Sequence, residues 1–336
     1  MQNELFDAMD RLLKDIYAPE LARRLVHDRQ EIEHIWEQIH SSGFLDLMVS
    51  EADGGAGLGW PQAWEVLFAV GRHALPFPLG QTMWARSQDG PIAQSVSGGQ
   101  AVAISGFGRI DSQGRVRASG VAGATLADFV LVQVGREVFG AAAQNVEIEP
   151  VADMASFDGN VSFTAGAPLA ELPEGLLSEV LAVILSIQLA GCADRVLQMT
   201  LDYAGTRVQF GKPIGRFQAL QQQISEMAEH VMAMRMASQM AVQQDHGSFA
   251  MRAAMAKLQT SMVAAQVARV AHAVHGAIGV TWAFDLQIYT RKLYEWARLG
   301  AGQGYWSSQL GRQVIGWNED LVDFVRTQLF GVEISA

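Results

Sequence analysis

Positive charge gathers where little is expected. The stretch RVQFGKPIGRFQALQQQ, Arg207 to Gln223, carries Arg207, Lys212 and Arg216, and no carboxylate falls between Asp202 and Glu226. The whole chain is acidic, with a formal net charge of −11. Gly211, Pro213 and Gly215 interrupt a helical pattern that begins near residue 176, and a new helix is expected to start near Arg216 or Phe217. A helix N-terminus offers unpaired N–H groups and the positive end of a dipole. With three cations beside it, such a joint can hold an anion of the pyrophosphate kind. The plainer alternative is a solvated basic turn that offsets an acidic surface.

A second candidate is VHGAIGVTWAFDLQIYTRK, Val274 to Lys292. Here His275-Gly276-Ala277-Ile278-Gly279 ends one long helix before the next. Glycine there supplies a positive φ and lets a ligand approach the backbone. By itself His275 reads more readily as a capping or packed histidine than as a catalyst. The GGAGLG of residues 54–59 has helical flanks and no preceding strand, which argues against a dinucleotide fingerprint. No HExxH, CxxC or carboxylate–histidine spacing suggests a metal site, and no GxSxG or P-loop is present.

The elements that must position these residues are read from periodicity. The fold class is mainly α with a small β domain. Residues 1–95 form an N-terminal helical domain, with Leu5, Met9, Leu12, Leu13 and Ile16 at helical spacing and Trp60-Pro61 opening a further helix. Residues 96–172 form a middle domain of short strands between glycines (AVAISGFG, GRVRASG, DFVLVQV, NVEIEPV, NVSFTAG), read as an antiparallel sheet or small barrel. Residues 173–336 form a C-terminal bundle of long helices, marked by Phe217, Leu220, Ile224, Met227, Val231 and Met234 and by Met251, Met255, Leu258, Met262 and Ala265. The methionines read as core rather than ligands.

Hydrophobic residues make up 49% of the 336 and charged residues 18%, a globular composition. An acidic chain is a poor nucleic-acid binder, and no membrane association is expected. The most apolar run, Val180 to Ala193, is too short to span a bilayer of about 20 helical residues. The single cysteine, Cys192, allows no intrachain disulfide, and a cytoplasmic home is the default expectation.

The motif R-V-Q-F-G-K-P-I-G-R-F-Q, followed by H-G-A-I-G-V-T-W and then Asp285, Tyr289, Arg291 and Lys292, resembles the acyl-CoA dehydrogenase family, and the helix–strand–helix order is similar too. The resemblance implies an N-terminal helical domain, a middle antiparallel β domain and a C-terminal four-helix bundle. It implies FAD as cofactor and α,β-dehydrogenation of an acyl-CoA thioester, with a carboxylate base removing the α proton while the flavin takes a hydride from the β carbon. Arg207, Gln209 and Phe210 would grip the adenosine-pyrophosphate half of an FAD held mainly by a neighbouring subunit, with Gln218 and the backbone at Gly276 and Gly279 completing that half-site. An oligomer is implied, and an electron-transfer flavoprotein as acceptor.

The chain also departs from the family pattern. The position of the family's common catalytic glutamate falls at Gly300, in RLGAGQG; the nearest carboxylates are Glu295 and Glu319. Some members carry the base on the first long helix of the bundle, near Leu181 here, and Glu179 lies two residues away. The Thr-Glu-Pro-Gly stretch that meets the isoalloxazine is absent from residues 81–105, and Ala273 and Ala277 replace a usual glutamine and glycine. This pattern is similar to the short subunits of heteromeric acyl-CoA dehydrogenases of bacterial steroid breakdown, in which a second, unlike chain supplies the base. The expected assembly is therefore a homo-oligomer, or a heterotetramer with a second acyl-CoA dehydrogenase-like chain. Three alternatives stay open: a self-sufficient homo-oligomer with Glu179 or Glu295 as base, a flavin monooxygenase on the same fold, and a non-catalytic scaffold subunit.

Overall fold

The computed structural model describes residues 4–25, 28–96, 98–151, 156–243, 248–317 and 320–330. It contains two compact units, each assembled from separated segments: Glu20–Leu67 with Pro76–Ile184, and Met1–Pro19 with Phe68–Leu75 and Leu185–Ala336.

The first unit holds the two four-stranded sheets. One four-stranded sheet has the order β1 (Val102–Ser105), β4 (Phe129–Val134), β5 (Glu137–Ala142), β8 (Ala170–Glu171); the other has the order β2 (Gly108–Ile110), β3 (Arg115–Val121), β7 (Gly159–Thr164), β6 (Glu147–Pro150). Val116, Val121, Val130, Val132, Phe139, Val161 and Phe163 belong to one buried cluster in this unit. The antiparallel expectation fails at one pair: β1 runs parallel to β4, with Val102 opposite Phe129. The reason is topological. The β2–β3 hairpin of the other sheet lies between them in sequence, and a crossover returns the chain in the same direction.

Strand β1 is an edge, and a helix covers it. In α5 (Leu79–Arg86), Thr82 Oγ1 accepts from the Val102 N–H at 2.9 Å and Gln81 Oε1 from the Ile104 N–H at 2.6 Å. These are the outward-facing donors an edge strand would otherwise leave open. Gln133 of β4 does similar work for α7 (Leu176–Thr206): its side chain accepts from the Leu177 N–H at 2.9 Å and donates to the Pro173 carbonyl at 2.7 Å. The start of α7 is thus tied to the sheet.

The second unit is helical: α1 (Glu4–Ile16), the end of α4 (Trp60–Arg72), most of α7, then α8 (Gln218–Ala241), α9 (Phe249–His275), α10 (Leu286–Arg298), α11 (Gln303–Ile315) and α12 (Leu321–Phe330). Two helices, α11 and α12, thus follow the four expected of a bundle, and both pack on α9. Helix α7 is longer than its apolar run suggested. By length and composition it could cross a membrane, yet 89% of its most apolar window is buried inside the protein, as in the central helix of a bundle.

Helices α4 and α7 meet backbone to backbone. A Cβ at Gly191 would lie 2.1 Å from the Phe68 carbonyl oxygen, and one at Gly71 would lie 2.2 Å from that of Gln188. Cys192, next to Gly191, is buried and donates its thiol to the Tyr289 carbonyl at 3.3 Å; burial pushes that thiol far above its ordinary pKa. The apolar spacing of α8 holds, with Ile224, Met227, Val231 and Met234 buried. On α9 the expected stripe holds in part: Met251 is buried, Met262 is exposed, and much of the buried face consists of small residues such as Ala264, Val267, Ala268 and Ala271. Small residues let α8, α10, α11 and α12 pack on this one helix.

Candidate functional site

The basic joint is a β-hairpin. Helix α7 ends at Thr206, β9 (Val208–Gln209) and β10 (Lys212–Pro213) pair with Gln209 opposite Lys212, and a 3-10 turn at Ile214–Arg216 leads into α8. The two-residue loop is Phe210-Gly211, with φ of 51° and 79°. Positive φ at both positions is the type I′ hairpin turn, whose first position ordinarily takes Asn, Asp or Gly. Phenylalanine there is a strained choice. Its ring is 91% exposed at the hairpin tip, so packing inside the chain does not explain it. Backbone strain held at an exposed aromatic points to something outside the chain that uses the ring.

The cations surround this tip. Arg207, Lys212 and Arg216 are all exposed, and among the described residues no ion pair joins any of them to a carboxylate. Lys212 lies over the Phe217 ring, 4.3 Å from its centroid, and the Phe210 ring meets that of Phe217 edge-on at 6.1 Å. Phe217 is the N-cap of α8 and supplies no side-chain acceptor, so the first N–H groups of a 24-residue helix stay open to an anion. Gln209 and Gln218 are exposed beside them. Unpaired cations, an uncapped helix start and an exposed aromatic fit the diphosphate and ring portions of a dinucleotide.

The glycine turn serves a different purpose from its histidine. Gly276 ends α9 with φ of 64°, and residues Gly276–Val280 form a 3-10 turn. At Gly279 a Cβ would come within 2.9 Å of the His275 Cβ and 3.1 Å of the Leu286 side chain, so only glycine fits without displacement. His275 itself is buried, with Nδ1 2.7 Å from the Ala271 carbonyl. Its ring stacks on Tyr203 at 4.5 Å and tilts against Phe284 at 5.2 Å. Burial depresses its pKa, the carbonyl of Ala271 opposing. This is a packed histidine. Through Tyr203, whose carbonyl accepts from the Arg207 N–H at 2.8 Å, it joins the glycine turn to the root of the hairpin. Val280 and Trp282 beyond it are exposed, at 70% and 61%.

The carboxylate candidates separate clearly. Glu295 is engaged: Lys292 Nζ donates to it at 2.7 Å, and both side chains are nearly buried. Glu179, in the first turn of α7, is half-buried, and burial alone raises its pKa to about 7. Leu181, two residues on, is buried. Glu319 lies outside the described residues. At the end of α10, Gly300 and Ala301 both take left-handed φ, 62° and 65°, and neither carries an acid. The described part of residues 81–105 holds most of α5, then α6 (Pro91–Ser95) and β1 with turns between them, and Gln81 and Thr82 already use the β1 edge donors.

One group escaped the sequence reading. Lys257 of α9 is fully buried and donates to the carbonyls of Trp296 at 2.7 Å and Ala297 at 3.0 Å and to Ser261 Oγ at 3.0 Å. A lysine inside an alanine-rich helical run gives no periodic signal; only the position of the α10 C-terminus reveals what it does.

Residues 180–302 match the family model of the acyl-CoA dehydrogenase C-terminal domain. Acyl-CoA dehydrogenase IpdE2 of Mycobacterium tuberculosis is 28% identical over 282 residues, covering 82% of this chain and 85% of its own length. The fold matches the ChsE4-ChsE5 complex of Mycobacterium tuberculosis, with a TM-score of 0.81 at 22% identity over 95% of this chain and 98% of the other. It matches the Tcur3481-Tcur3483 steroid acyl-CoA dehydrogenase equally well, with a TM-score of 0.81 at 22% identity, covering 94% and 97%.

Proposed function

We propose, from the match of residues 180–302 to the acyl-CoA dehydrogenase C-terminal domain and from the similarity to acyl-CoA dehydrogenase IpdE2, that the chain is an FAD-dependent member of that family and one subunit of an assembly that oxidises the Cα–Cβ bond of an acyl-CoA thioester. In that assembly it contributes the adenosine-side grip on FAD, and a second acyl-CoA dehydrogenase-like chain supplies the base. The observation that carries this reading is Phe210, strained and 91% exposed on a basic hairpin beside the open start of α8. Arg207 and Lys212 would meet the diphosphate with the α8 N–H groups, Gln209 and Gln218 would hydrogen-bond along it, and the exposed backbone at Gly276 would let the cofactor approach closely, in a turn that the buried Gly279 holds against His275 and Leu286. FAD, when bound, would supply the hydride acceptor for the β carbon. The α proton must go to a carboxylate, and the turn at Gly300 offers none. The two-chain form of the steroid enzyme and of the ChsE4-ChsE5 complex supports a shared site. A polycyclic acyl-CoA of the steroid kind is the proposed substrate class, and an electron-transfer flavoprotein the acceptor.

A second reading rests on Glu179. A half-buried carboxyl raised to about 7 has the affinity expected of a general base working near neutrality. It would make the chain self-sufficient.

The test is Arg207→Ala and Phe210→Ala in the assembled enzyme, read as FAD per protein and turnover. The proposal expects both variants to lose flavin while the assembly stays intact. Full flavin content in both would refute the grip assigned to the hairpin.

A further inference from the structure

The least explained charge in the described residues is the ammonium of Lys257. It has no access to water, and each of its three protons has an acceptor: Ser261 Oγ on its own helix, and the carbonyls of Trp296 and Ala297 in the last turn of α10. Those carbonyls are among the four a helix leaves unpaired at its C-terminus, where the dipole is negative. The chain then leaves α10 through Gly300 and Ala301, two consecutive left-handed residues, one of them not glycine. Trp306 Nε1 donates to both carbonyls of that turn, at 3.0 and 3.2 Å. Two side chains thus hold a conformation that the backbone does not favour.

We propose that Lys257 is a proton-dependent clamp: its ammonium fastens the end of α10 and the turn at Leu299–Gly302 to the middle of α9, and loss of one proton loosens them. A neutral amine has two protons and a lone pair. It can still donate to the two carbonyls only by turning its lone pair to the Ser261 hydroxyl, which must then become the donor, and the charge-assisted bonds to the negative end of α10 are lost. No other charge enforces the ammonium form. On α10, Lys292 and Glu295 pair with each other at 2.7 Å; Arg291 and Arg298 are its remaining charges, and Tyr289 and Tyr294 its other titratable groups. On α12, Asp323 and Arg326 lie 3.6 Å apart. Helix α11 brings only Arg312, α9 brings Arg252, Arg269 and the histidines His272 and His275, and α8 brings Glu226, Glu229, His230 and Arg235. None of these bears on Lys257, whose affinity for its proton burial alone lowers, to about 7.

The experiment is hydrogen exchange on the full chain, resolved to the amides of Ala297–Leu299 and corrected for the intrinsic pH dependence of exchange. Local opening of this kind is read directly as a fall in protection. The wild type should lose protection by roughly tenfold between about pH 6 and about pH 9, whereas Lys257→Met should be poorly protected and indifferent to pH. Flat wild-type protection, or the same pH dependence in Lys257→Met, would overturn the proposal. Should that variant not fold, the wild type decides alone: with carbon-13-labelled lysine, Lys257 should titrate near 7, and a midpoint at the ordinary 10.5 would overturn it.

Discussion

The imidazole of His275 lies nearly parallel to the ring of Tyr203, 22° between planes and 4.5 Å between centroids. This contact joins the glycine turn after α9 to the helix end from which the basic hairpin springs. A charged imidazole would be poorly solvated there, so the ring is held neutral. In the folded protein its pKa lies below the ordinary 6.5, so the unfolded chain binds the proton more tightly. Stability should therefore fall as pH drops through 6.5 and level off below the folded value. In His275→Phe that part of the acid sensitivity should vanish, while the alkaline side of the thermal melting profile should stay in place. Unchanged acid sensitivity in this variant would show that the ring is not buried neutral.

Phe210 predicts a conflict between stability and function. Phe210→Gly removes the positive-φ strain and only one exposed edge-on ring contact, with Phe217, so the isolated chain should gain up to about 1 kcal/mol despite the added flexibility of glycine. The assembled enzyme should lose flavin. Chemical denaturation and flavin absorbance on the same preparations check both halves.

Glu179→Gln discriminates between sources of the base. The carboxyl is raised from 4.5 to about 7 by burial, so between those values the folded state binds more protons than the unfolded one. Its ionisation then costs stability as pH rises through that window, and the glutamine variant should be relatively more stable at about pH 8 and unchanged at about pH 4. Turnover of the assembled enzyme should survive. Loss of turnover with flavin retained would move the base into this chain.

Gly191→Ala tests the backbone contact of α4 and α7. A methyl 2.1 Å from the Phe68 carbonyl oxygen cannot be placed without separating the helices, and a loss of about 3 kcal/mol or more is expected from overpacking. Melting near the wild-type temperature would mean that the helices do not touch so closely.

What the sequence conveyed follows the strength of local signals. The α8 stripe of Ile224, Met227, Val231 and Met234 was legible because one side of that helix alone is buried. The α9 stripe was legible only in part: Met251 is buried and Met262 exposed, because several helices pack on α9 and most of its buried residues are small. Strand β5 left little trace, since Gly140 interrupts it; a Cβ there would come within 2.7 Å of the Phe129 ring. The hairpin was marked by composition, but its type I′ turn was hidden because phenylalanine is not a residue that announces one. Lys257 could not have been found at all without the position of the α10 C-terminus.

The central claim is that this chain holds half a flavin site and lacks the base. Flavin content, native mass and acyl-CoA turnover, measured on the chain purified alone and again after co-expression with a second acyl-CoA dehydrogenase-like chain, test it most directly. The account predicts little flavin and no turnover for the chain alone, with both present in the complex. About one FAD per chain together with turnover by the chain alone would contradict it.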